Sequence, residues 1–199
     1  MQFTKFALAA LSLGSAIAAP TKRASSNPLA VLNLAIAEVS SAESTIESEV
    51  SSITSALTGT VDVLKVESSL LTIGQTATSV LTSVLSLSDL EGLTSADLSG
   101  ITGLVSDATS IVSKVKSTAS SVTSGLGSEA ISEVNSALAF ALSTTGTITK
   151  PLISFIESAV PESDPIFNEV TSAVGELSSV ANGLIAPVNS ILSGVGLGL

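Results

Sequence analysis

A 3,4-spaced apolar stripe recurs five times along this chain and constrains it to a set of long helices. The runs go from Leu29 to Leu57, Val63 to Leu87, Leu98 to Leu126, Ile131 to Ala159 and Phe167 to Val195. Of their 44 positions 42 are apolar, where an apolar content of 45% supplies about 20 by chance. Only Glu43 and Thr145 break the rule. Spacing of 3 and 4 puts side chains on one helix face. The faces between the stripes are mostly Ser, Thr and Ala, so each run reads as an amphipathic helix.

Punctuation falls between the runs. Asn27-Pro28 opens helix 1 with a cap residue and a proline at the first helical position. Thr58-Gly59-Thr60 ends it, and the change of register from Leu57 to Val63 marks a separate helix 2, from about Val61 to Leu87. Residues 88–94 form a loop, with Ser95 as the expected cap of helix 3. Gly125 and Gly127 close helix 3, and Ser128-Glu129 opens helix 4. Pro151 lies inside helix 4, where a proline removes one hydrogen bond and costs about 3 kcal/mol. The stripe persists on both sides, so a kink near Thr147 is expected rather than a break. Val160-Pro161 ends that helix, Asp164 caps helix 5, and Pro187 bends it. Short connections favour antiparallel neighbours. The expected fold is all-α: an up-and-down bundle of about five long amphipathic helices.

The N-terminus reads as a processed segment. A short apolar core from Phe6 to Ile17 precedes Ala16-Ile17-Ala18, which suits a signal peptidase cutting after Ala18. Lys22-Arg23 then offers a dibasic trimming site. Residues 1–18 are thus assigned to a signal peptide, 19–23 to a short pro-segment and 24–199 to a single helical-bundle domain. The mature chain carries four Lys against 17 acidic residues, a net charge of −13. Such a surface repels phosphate backbones, and nucleic acid is not expected as a partner. Mean hydropathy is high at +0.63, yet polar residues interrupt every apolar run after the signal, so no transmembrane segment is expected. The apolar tail 184–199 lacks the polar spacer of a lipid-anchor signal.

The missing residue types narrow the chemistry. Cys and His are absent, so thiolate chemistry and metal sites built from those ligands are excluded, and no disulfide staples the fold. A serine nucleophile would need a lysine base, and the Ser-x-x-Lys spacing Ser113-Lys114-Val115-Lys116 reads as a solvated helix surface. Cofactors are expected to be none, catalytic and metal residues none, and the protein is read as non-enzymatic. Ser and Thr supply 54 of the 176 mature residues. No Asn-x-Ser/Thr sequon accompanies them, so O-glycosylation is the expected modification.

A secreted, Ser/Ala/Thr-rich, five-helix chain with a dibasic site resembles the fungal hydrophobic surface-binding protein A and antigenic cell-wall galactomannoprotein family. The likeness is closest over Lys150-Pro151-Leu152-Ile153-Ser154-Phe155-Ile156-Glu157-Ser158-Ala159-Val160-Pro161, where a helix ends in Val-Pro and a final amphipathic helix follows. The resemblance implies residence outside the cell or in its wall, adsorption to hydrophobic surfaces, and in some members a fatty-acid cavity between helices. Hydrophobic surfaces or lipid are the expected partners, with cell-wall polysaccharide as a further one. The alternatives are a fatty-acid or sterol carrier and a secreted effector. A carrier's pocket is expected near Gly146 and Pro151, facing the start of helix 5. Phe140, Leu152, Phe155 and Phe167 are then the candidate lipid-contact residues.

Overall fold

The computed structural model describes residues 27–88, 90, 93–94 and 97–194, with side chains followed as far as 184 apart from 99. Five helices build it: α1 Pro28–Ala56, α2 Val63–Leu85, α3 Ile101–Gly125, α4 Ser128–Ala159 and α5 Phe167–Gly194. A 3-10 turn, Asp97–Gly100, leads into α3. The proposed signal and pro-segment, with Ala18, Lys22 and Arg23, lie outside the described residues, as do Ser95 and the end of the tail.

The helix starts follow from local hydrogen bonding. The Asn27 side chain accepts from the Leu29 N–H at 3.2 Å, and Pro28 supplies the fixed φ of the first turn. The Asp62 carboxylate accepts from the Lys65 N–H at 3.1 Å, which starts α2 two residues later than the stripe suggested. Between them Gly59 takes φ 80, a left-handed conformation that a side chain would strain. Before α3 the visible cap is Thr94. Asp97 reaches back to accept from the Thr94 N–H at 2.8 Å and from its hydroxyl at 2.7 Å. That is one half of a capping box, and it opens the 3-10 turn ahead of α3. At the other end of the bundle axis α4 passes through Pro151 as one element, and α5 continues through 187 to Gly194.

Chain direction alternates from helix to helix, but chain neighbours are not always space neighbours. α2 packs on α1 and α4, α3 packs on α1, α4 and α5, and α5 packs mainly on α3 and α4. α2 and α3 do not pack along their lengths, so residues 86–96 cross a diagonal. Parallel pairs result, against the antiparallel neighbours expected throughout. Ile36 sits over Gly100, Glu47 beside Lys114 and Leu57 over Gly125, so α1 and α3 rise together.

The stripes are the core. On α2 every stripe position from Val66 to Leu87 is buried, and on α3 every one from Leu98 to Leu126. On α1 the buried face is turned slightly, taking in Ala35, Ala42 and Ala56. That rotation moves Glu43 to the rim. Among the described residues α1 is also the one helix long and apolar enough to cross a bilayer, a feature the sequence reading did not single out. In the bundle its apolar row lines the core instead.

A second buried seam runs beside the main stripe on the two helices with three neighbours. Leu104, Ile111 and Thr118 form it on α3, and Leu142, Thr149 and Ile156 on α4, each at seven-residue spacing. Heptad spacing keeps a narrow row facing one partner. On α4 the partner of this row is α5, since Leu142, Thr149 and Ile156 line space shared with that helix.

Candidate functional site

Two regions carry polar chemistry or open space. The first is a cluster on the α1–α3 rim. The Lys114 ammonium bonds Glu43 Oε1 at 2.9 Å and Glu47 Oε2 at 2.9 Å, and the Ser110 hydroxyl donates to the same Glu43 oxygen. These are the only ion pairs among the described residues. Glu43, an exception to the stripe, therefore ties two parallel helices in register. The Ser110 and Lys114 hydrogen bonds hold its carboxyl below the ordinary carboxylate range. Partial burial, then the Glu43 charge, pushes Asp107 up, against a hydrogen bond from Ser40 and the charge of Lys114. Burial opposes the Lys114 ammonium, but its bonds to Glu43 and Glu47 raise it overall.

The signs oppose each other. Glu43, depressed in the fold, contributes stability above its unfolded value that is lost as pH falls. Asp107, raised in the fold, costs stability once pH climbs through its folded value. Lys114→Met removes the cation that balances both. It should destabilise the bundle at pH 7 by about 1 kcal/mol, since the pair is partly exposed to solvent, and by less as pH falls below the ordinary carboxylate range. Urea melts at pH 7 and below that range measure the difference.

The second region is the crevice between α4 and α5. It holds two hollows in line along the seam, one of about 530 Å3 and one of about 500 Å3. Leu142, Gly146, Thr149 and Ile153 face Ser178, Ala181 and Leu184 across the first. Ile156 and Val160 face Phe167, Val170 and Val174 across the second. Leu142 opposite Leu184 and Ile156 opposite Val170 show the two helices to be antiparallel. The hollows exist because α5 presents narrow side chains: Val174 and Ala181, both on its stripe, are only half-buried. Lys150 lies in the wall of the first hollow. Thr149 is 7% exposed, and its hydroxyl finds no partner, whereas the Thr145 hydroxyl one turn earlier bonds the Ala141 carbonyl at 2.7 Å. An apolar trench thus has one unsatisfied polar atom in its floor.

The four residues expected to contact lipid do not meet in one place. Leu152 and Phe155 are 0% and 2% exposed, in the core and not in the lining of either hollow. Phe140 lies on the far side of α4, its ring over Gly74 of α2, where a Cβ would collide with it. Phe167 alone borders a hollow, the second. The first hollow does contain Gly146, but it faces the middle of α5 rather than its start. The residues that line the seam, Leu142, Thr149 and Ile156, were legible as a second heptad row beside the main stripe and were missed for that reason.

Asp164 accepts from the Ile166 N–H at 3.1 Å at the start of α5, and its other oxygen is buried without a partner. No group of three acidic side chains that could hold a metal occurs among the described residues. Comparison with protein-family models, curated proteins and solved structures finds no match for the chain. Function therefore has to be argued from this geometry.

Proposed function

We propose that this is a non-enzymatic, secreted surface-active protein that adsorbs to apolar interfaces by releasing α5 from an otherwise intact bundle. The observation that carries the reading is the α4–α5 crevice. Among the described residues α5 packs mainly on two helices, and its seam with one of them is hollow along much of its length. Among the described residues no side-chain hydrogen bond or ion pair joins α5 to another helix, in contrast to the Glu43–Lys114 tie between α1 and α3. No disulfide holds it either. Release would expose the heptad seam of α4 together with the stripe of α5. At about 25 cal/mol per Å2, contact of these rows with an apolar surface offsets the helix contacts given up. Mature protein flowed over an octadecyl-coated microbalance sensor should form a stable layer that buffer does not rinse away; a layer that washes off sinks the reading.

The hollows support a second reading, in which the bundle stays closed and a single alkyl chain or sterol lies in the seam. Thr149 and Lys150 would meet its polar end. Gly146 lines the first hollow, and a side chain built there meets open space. Gly146→Phe should fill the hollow and abolish saturable binding of a fluorescent fatty acid while leaving the melting temperature within a few degrees. Non-saturating uptake, unchanged in Gly146→Phe, excludes the carrier.

A further inference from the structure

The outer face of α2 and α4 has no part in the crevice, yet it carries a pattern of its own. Leu64, Leu71 and Leu85, with Thr78 between them, stand at seven-residue spacing and so form one outward row. They are 76%, 39% and 50% exposed. Phe140, 37% exposed, reaches from α4 over Gly74, one turn past Leu71, and widens the row across the α2–α4 seam.

Past Leu64, which stands beside Asp62, Lys65 and Glu67, charge is missing from this face. No Asp, Glu, Lys or Arg occurs from 68 to 88 or from 134 to 149. The acidic groups gather on α1, with Glu38, Glu43, Glu47 and Glu49, on α5, with Glu169 and Glu176, and at the N-terminal ends of α2 and α4, with Asp62, Glu67, Glu129 and Glu133. The hydroxyls on this face are also largely satisfied within their own helices. Thr72 donates to the Ser68 carbonyl, Thr78 to Gly74 and Thr82 to Thr78, at 3.1, 2.9 and 3.0 Å. A threonine whose proton is already bonded to its own backbone loses less when water is stripped away. Pressing a charged face against a low-dielectric surface carries a desolvation cost that this face avoids.

We infer that the α2–α4 face is where the closed bundle first lands on an uncharged apolar interface, before α5 lets go. The inference rests on the surface-active reading and adds to it a direction of approach. A second copy of the chain is the other conceivable occupant of a heptad row. Three leucines, two of them no more than half exposed, fall short of the roughly 1,200 Å2 that a stable dimer buries.

The test compares wild type with Leu64→Ser/Leu71→Ser/Leu85→Ser, and with Leu34→Ser, which alters an equally exposed leucine on the acidic α1. Initial adsorption rates are read on the octadecyl sensor from dilute solution. The triple variant should keep its helical spectrum and monomer mass, land about tenfold more slowly, and reach the wild-type plateau late. Leu34→Ser should land at the wild-type rate. Leu64→Lys, at the most exposed position, repeats the test without touching the half-covered Leu71 should the triple variant fail to fold. If wild type adsorbs and the row variants land equally fast, the landing face is wrong and surface activity stands. If wild type does not adsorb, surface activity itself fails. A wild-type dimer that the triple variant reduces to monomer overturns the proposal in favour of self-association.

Discussion

Val112→Asp should abolish the fold. Val112 is fully buried in the middle of α3, the helix that touches α1, α4 and α5 at once. A carboxylate there has no cation within the core, and an unpaired buried charge costs more than most single changes, about 4 kcal/mol or more. Domains of this size are stable by only about 5–15 kcal/mol. The helices are rich in Ser, Thr and Gly and have low intrinsic propensity, so they depend on burial of their stripes. Loss of the core should therefore take the helical circular dichroism signal with it. Ser113→Asp, one residue on and exposed, should melt within a few degrees of wild type. Equal behaviour of the two variants would contradict the assignment of the stripe to the core.

Bridging α4 to α5 should nearly eliminate adsorption. The chain has no cysteine, so Gly146→Cys with Ala181→Cys gives two unique thiols facing one hollow. Closed by a short bifunctional thiol reagent, the pair ties the seam that the proposed mechanism opens. The adsorbed amount should fall by about tenfold or more, equivalent to about 1.4 kcal/mol per factor of ten. The unbridged double variant should adsorb as wild type does. Undiminished adsorption of the bridged form would show that α5 stays in place at the interface.

Much of the fold was legible because burial here is decided by periodicity. Val66, Leu70, Ile73, Ala77, Val80 and Val84 repeat at helical spacing and are all buried in the order they occur. Asn27, Gly59 and Asp164 acted as punctuation because each solves a local backbone problem that no distant contact alters. The order of helices around the bundle was not legible. A loop as short as 86–96 can return a chain to a neighbour or carry it across a diagonal, and nothing local distinguishes the two. The seam that α5 covers was half legible. Leu142, Thr149 and Ile156 form a heptad row in the sequence, but a helix with two neighbours and a helix with three differ only in that second row. The candidate lipid contacts misled because nearness in sequence to Gly146 and Pro151 does not set which side of α4 a residue faces. Phe155 is large and lies in the core, whereas the hollows lie where side chains are small, beside Gly146 and Ala181. Glu43 looked like an exception to the stripe until Ala42 beside it proved to be the buried residue.

The central claim is that α5 leaves the bundle at an apolar surface, and a distance measures it directly. Spin labels at Ser179→Cys on α5 and Thr54→Cys on α1, both exposed, report the separation of the two helices by pulsed electron resonance. In buffer the distribution should be single and narrow. On alkane-coated nanoparticles it should broaden and shift outward by more than a helix diameter, about 10 Å, while a control pair on α1 and α3 at Thr54→Cys and Ser117→Cys stays unchanged. An α1–α5 distance that is the same in solution and on the particle would contradict the account.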